Sequence, residues 1–184
     1  YGELAEGNTE PLVGATLVGF FGTVLSTNVT PINARALAKE RGIEVIESRS
    51  TRPRNFTNLI SVKLHTSHGE RWAEGALFEQ AGPRLVLVDG VRVEAPLEGT
   101  LVVIRNNDQP GVIGAVGTIL GRRRINIATF ALGRGSTGAV AVVNIDREGA
   151  DDPQVTDDVP DEIRAVPAVQ QVAVNAQAGA KGAD

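Results

Sequence analysis

The chain has no cysteine and no methionine among its 184 residues, and only two histidines, one tryptophan and one tyrosine. Without cysteine there is no disulfide framework and no thiolate metal site, a composition that suits a reducing cytoplasm. Without methionine, and starting at Tyr1, the sequence reads as a piece of a longer polypeptide. A net charge of −4 and a pI near 5.3 argue against a general nucleic-acid binder, whose affinity rests on dense Lys and Arg. No long hydrophobic run is present either. The best candidate, Pro11 to Leu25, is shorter than the ~20 residues a membrane span needs. It contains three glycines and follows no basic segment, so a signal peptide is not expected and a buried helix is.

Two motifs fail on context. His65 and His68 stand as HxxH beside a strand-to-turn junction, but no second cluster of ligands completes a metal site, so none is assigned. Gly133-Arg-Gly-Ser-Thr-Gly138 matches a dinucleotide fingerprint letter for letter. That fingerprint must open a helix, whereas here it joins two strands, so a tight hairpin is expected and no NAD site. Trp72 is read as a core or interface anchor. No nucleophile–base pair is evident, and no catalytic residue is assigned.

Along the chain, residues 2–7 read as a short strand and about 10–26 as a helix. Asn33 is placed to cap a helix over Ala34–Arg41 that Gly42 stops. Ile43–Ser48 alternates like a strand, and 48–55 is a basic, proline-punctuated loop. Strands are expected at Asn58–Thr66 and Arg71–Phe78, then at Arg84–Val88 and Val91–Ala95 around Asp89-Gly90, a strong hairpin signal. Pro96–Gly99 is the expected domain boundary. Beyond it come a strand at Leu101–Arg105 and a helix over Pro110–Arg123 with Val112, Ile113, Val116, Ile119 and Leu120 on one face. Strands at Ile125–Leu132 and Ala139–Ile145, an acidic loop at Asp146–Asp158, a helix near Pro160–Val166 and a strand at Val169–Val174 complete the unit. The order βαββαβ is that of the ferredoxin-like split βαβ. The reading is an α+β protein of two small domains, 1–97 and 98–175, with a disordered tail over 176–184.

The chemistry concentrates between residues 106 and 131. An acid, Asp108, precedes a Pro-Gly helix start, and Asn126 opens the next strand. A carboxylate can accept from a ligand ammonium. The unpaired N–H groups at Gly111 and Val112 can face a carboxylate with the helix dipole behind them. Asn126 can donate and accept. This is the equipment for a small zwitterion. The bland alternative makes Asp108 a helix cap and Asn126 a turn residue. Gly111, Gly114, Gly117 and Gly121 also bare one helix face at about 1 kcal/mol each relative to Ala, a cost that close approach of a partner would explain. Basic residues including Arg35, Lys39, Arg41, Arg84 and Arg92 form either an ordinary mixed-charge surface or a pocket for a phosphorylated anion.

The segment NNDQPGVIGAVGTILGRRRINIATFALGR resembles the ACT domain, a βαββαβ amino-acid sensor. The upstream segments VTPINARALAKERGIEVIESRS, TNLISVKL and GALFEQAGPRLVLVDGVRVEAPLEGTLVVIR resemble the intervening, or allosteric substrate-binding, domain of long-form D-3-phosphoglycerate dehydrogenases. The resemblance runs from about Tyr1 to Val174. It implies a parent enzyme that oxidises 3-phosphoglycerate with NAD at the first step of serine synthesis, with catalytic domains upstream of Tyr1. On that basis this piece holds no cofactor, regulates and assembles, and is inactive alone. It implies homo-oligomers through paired ACT domains and L-serine as feedback effector at their interface, in the cytoplasm. By position the serine site would use Asn106, Asp108, Gln109, Pro110, Gly111, Val112 and Asn126. A possible anion site would use Arg84, with Arg92 and Lys39. Other readings are kept: first, the regulatory region of an L-serine dehydratase, or a metabolite-binding ACT module with no serine response; second, an RNA-recognition module of the same βαββαβ order. The second is disfavoured because Leu101–Arg105 and Ala139–Ile145 carry no aromatics.

Overall fold

The structure, a computed structural model, describes residues 1–22, 24–25, 28–145, 155 and 158–176. Most of the acidic loop and nearly all of the tail expected from the sequence lie outside these residues. The chain forms two compact units, Tyr1–Val62 and Lys63–Asp184.

In the first unit the expected strand at 2–7 is a 3-10 helix, Glu3–Glu6. Asn58 causes the difference. Gly2 makes an isolated bridge to it, and its Oδ1 accepts the Leu4 N–H at 2.8 Å, bending the chain into a turn. Helices α1 (Glu10–Gly22) and α2 (Ala34–Glu40) bury Leu17 and Phe21 against Ala34 and Ala38. Asn33 stands at the α2 N-cap position, but its Oδ1 turns back to accept the Thr30 N–H at 2.8 Å. Ile43–Ser48 is not a strand. Its alternation instead settles Ile43 and Val45 on the helix pair and leaves Ile46 80% exposed, with no strand among the described residues to pair it.

Strands β1 (Leu59–Thr66), β2 (Gly69–Phe78), β3 (Gly82–Val88) and β4 (Val91–Pro96) form a sheet in that order. As expected, the β3–β4 hairpin turns on Asp89-Gly90, with Asp89 in the left-handed region at φ 47°.

The rest of the second unit is built from β5 (Thr100–Asn106), α3 (Val112–Arg122), β6 (Ile127–Gly135), β7 (Gly138–Ile145), α4 (Asp158–Arg164) and β8 (Val169–Ala176). Its sheet runs β6-β7-β5-β8, antiparallel throughout, which is the expected ferredoxin-like arrangement. The α+β class follows directly. Each face of this sheet is covered, which explains why β7 is apolar at nearly every position. On one face Val102, Ile104, Ala141 and Val143 meet Val112, Val116, Leu120 and Ile163 of the helices. On the other, Leu101, Val140 and Val142 meet Leu85, Val91, Val93 and Ala95 of the hairpin.

Two glycines of the 133–138 motif, Gly133 and Gly135, serve that second packing. A Cβ on Gly133 would lie 2.0 Å from the Arg92 carbonyl oxygen, and one on Gly135 would lie 2.9 Å from a Val91 methyl. The motif joins β6 to β7 and opens no helix, as its context implied. It is a place where two backbones touch.

Candidate functional site

Strand register fixes where the candidate residues stand. Asn106, Ala139 and Arg134 are paired side by side across β5, β7 and β6. Paired residues share a face, so all three point to the helix layer, beside the start of α3. The small Ala139 between them leaves a lane that a long side chain can cross. Arg134 crosses it: its Nε donates to Asp108 Oδ1 at 2.9 Å.

The β5–α3 connection is held from below. Asn106 is 2% exposed, and its Oδ1 accepts the Asp108 N–H at 2.9 Å. Asn107 N–H donates to the Ala168 carbonyl at 3.0 Å. Asp108 takes φ 54°, a conformation Asp tolerates better than most residues. Residues 107–111 are exposed. Asn106 Nδ2 is buried without a hydrogen-bond partner among the described residues, an uncommon state for an amide so enclosed.

Helix α3 begins later than the Pro110 expected from the sequence, because Gly111 at φ 94° occupies the N-cap and cannot be helical there. Among the described residues no side chain caps this end. The first N–H groups of α3 therefore have neither intrahelical nor side-chain acceptors among the described residues. Asp108 is thus no cap; its carboxylate goes to Arg134. Along the helix, Val112, Val116, Ile119 and Leu120 are buried as expected, but Ile113 is 49% exposed. It joins Gly114, Gly117 and Gly121, where an added Cβ would meet nothing within 4 Å.

Asn126 lies elsewhere. Thr100 and Ile127 both pair with Ile145, so Asn126 stands at the opposite end of the sheet from Asn106. Six residues of strand separate those levels, about 20 Å at the usual rise. Its side chain is exposed and has no hydrogen bond to a described residue. One copy of the chain does not bring Asp108 and Asn126 together.

The anion candidates are also spread out. Arg84 is opposite Pro96 and Arg92 opposite Leu87, which separates the two by about four residues of hairpin, ~13 Å. Arg84 Nε donates to the Ala81 carbonyl at 3.3 Å. Lys39 is exposed near the end of α2 in the first unit. His65 faces Glu70 at 3.3 Å and His68 Nδ1 lies 3.2 Å from Ser67 Oγ. Trp72 is half-buried, with Lys63 Nζ 4.3 Å above its ring.

A charged cluster absent from the expectations above lies on the hairpin-facing side of β5. Asp89 Oδ2 receives Arg71 and Arg105, each at 3.0 Å, while its Oδ1 receives the Trp72 N–H at 2.9 Å. Arg71 continues to Gln171 of β8 at 2.9 Å. Burial alone would raise the Asp89 pKa. The Trp72 N–H and the two guanidiniums outweigh it and hold the carboxyl below its ordinary range. An Asp in a two-residue turn reads as turn chemistry, and nothing local marks the arginines that converge on it.

Residues 1–89 match the family model of the D-3-phosphoglycerate dehydrogenase intervening domain. The chain is 33% identical over 175 residues to a D-3-phosphoglycerate dehydrogenase of Methanocaldococcus jannaschii, covering 94% of this chain and 32% of that protein. It is 36% identical over 134 residues to the protein of that name from Synechocystis, covering 72% of this chain and 24% of the other. The Bacillus subtilis protein of that name is 35% identical over 142 residues, covering 77% and 27%. The chain therefore spans about a quarter to a third of the length of these relatives.

Proposed function

The chain belongs to the D-3-phosphoglycerate dehydrogenase family through the intervening domain of residues 1–89, and from that premise we propose that it is the regulatory and assembling region of such an enzyme. In this reading the β5–β8 unit is an ACT domain that binds L-serine. The oxidation of 3-phosphoglycerate by NAD belongs to segments outside the given sequence. The cysteine-free composition agrees with a cytoplasmic setting.

The observation that carries the reading is the state of the β5–α3 loop. It offers an exposed carboxylate not used as a cap, and a helix start whose N–H groups are uncapped. These are complements for an ammonium and a carboxylate in one small ligand. Asn126, without a hydrogen bond among the described residues and about 20 Å away by register, completes the site only from a second copy. Two copies related by a two-fold axis supply two such sites, each pairing one copy's Asp108 with the other's Asn126. Serine then favours the subunit orientation in which both residues reach it. The coupling available to regulation is its differential affinity, typically about 1–3 kcal/mol.

L-Serine at about a hundred times its dissociation constant should stabilise the folded chain by about 2.7 kcal/mol, read as a higher melting midpoint. Glycine should do so less, and Asp108→Ala should remove the gain. A midpoint unmoved by millimolar serine but raised by 3-phosphoglycerate would refute the reading and make the intervening domain the sensor.

A further inference from the structure

The Arg134–Asp108 contact is only half made. It consists of Nε to Oδ1, with Arg134 at 72% and Asp108 at 37% side-chain exposure. Asp108 Oδ2 and both Nη groups of Arg134 have no partner among the described residues. A guanidinium normally meets a carboxylate through two parallel bonds when nothing else competes. Here one oxygen and one guanidinium edge stay uncommitted, beside the uncapped start of α3. Beneath the loop, the amide that holds Asp108 in place has its own Nδ2 buried, with no partner among the described residues.

We propose that Arg134 is the carboxylate-binding residue of this site, and that the ligand is a zwitterion lodged across the Arg134–Asp108 pair. The inference rests on the amino-acid-binding reading of the same loop and adds a residue to it. The ligand ammonium donates to Asp108 Oδ2, and the ligand carboxylate accepts from the Arg134 Nη groups. Two opposite charges meet two opposite charges, so binding leaves no excess charge in the site. The free pair is exposed and weak, which makes it easy to open. This arrangement selects against ligands that carry only one of the two charges. An amine without a carboxylate leaves the guanidinium unused, and an acid without an amine leaves Asp108 tied to Arg134.

The test is calorimetric titration of the full chain with L-serine, ethanolamine and 3-hydroxypropionate, the last two being serine without its carboxylate or its amine. The wild type should bind serine and neither single-charge analogue. Arg134→Gln should lose about tenfold or more in serine affinity, since a charge-assisted contact is removed. The same change should raise binding of ethanolamine, because Asp108 then lacks its internal cation. Arg134→Lys, which keeps the charge but not the fork, should fall between the two. Unchanged melting of the unliganded Arg134→Gln protein would show that the loss is local. Arg134→Gln binding serine as well as the wild type, or more tightly, would overturn the proposal while leaving the serine reading intact. A wild type that does not bind serine would overturn both.

Discussion

Gly133→Val should lower the melting midpoint of the chain by about 5–10 °C, corresponding to a loss of about 3 kcal/mol. The reason is geometric. The first atom of any side chain at this position would sit 2.0 Å from the Arg92 carbonyl oxygen, and that oxygen is backbone, so it cannot rotate away. Relief requires the β3–β4 hairpin to lift from β6, which exposes part of the shared core of Val91, Val93, Ala95, Val140 and Val142. Gly114→Ala, on the open face of α3, is the control. It meets nothing within 4 Å and should stabilise by up to about 1 kcal/mol through helix propensity. Thermal denaturation of the two variants separates glycine as a packing requirement from glycine as a bare surface. Equal midpoints for Gly133→Val and the wild type would refute the contact.

Asp89→Asn should cost about 2–3 kcal/mol, because the side chain is 8% exposed and its loss of charge leaves Arg71 and Arg105 without their shared anion. Asn keeps the size of the side chain and tolerates the positive φ, so the turn itself is preserved. The sign of the pH dependence follows from the depressed pKa. A carboxyl that is more acidic when folded stabilises the fold above its unfolded value, and that contribution is lost as pH falls through the folded value. Chemical denaturation should therefore show the full gap between the two proteins above about pH 5, where an ordinary Asp is ionised, and a closing gap below about pH 4. A gap that persisted undiminished in acid would mean that size and hydrogen bonding, not charge, hold this cluster.

Much of the fold was legible because local chemistry and packing agree in it. The Asp89-Gly90 turn, the apolar face of α3 and the alternation of β4 each point to the element that forms. Where they disagree, reading the sequence failed in identifiable ways. Ile43–Ser48 alternates because one side of an extended segment packs on helices, and alternation alone cannot tell that from pairing. Residues 3–6 follow a hydrogen bond that the Leu4 N–H donates to Asn58, more than fifty positions away in the chain. Within the candidate site, Asp108 and the helix start stand out as residues, yet their pairing does not. Arg134 is hidden inside a glycine motif, and only the register that aligns it with Ala139 and Asn106 reveals its reach. The distance between Asp108 and Asn126 is likewise a property of the sheet, invisible in a spacing of eighteen residues.

That distance gives the most direct test of a site shared between two copies. Asp108→Ala and Asn126→Ala chains are each titrated with L-serine, then mixed in equal amounts, allowed to exchange subunits, and titrated again. Each variant alone should fail to bind. In a mixed pair, one site combines both alanines, and the other combines an intact Asp108 with an intact Asn126. The mixture should therefore regain serine binding, at one site per mixed dimer. No recovery on mixing, under conditions where subunit exchange is shown to occur, would contradict a ligand held between two copies.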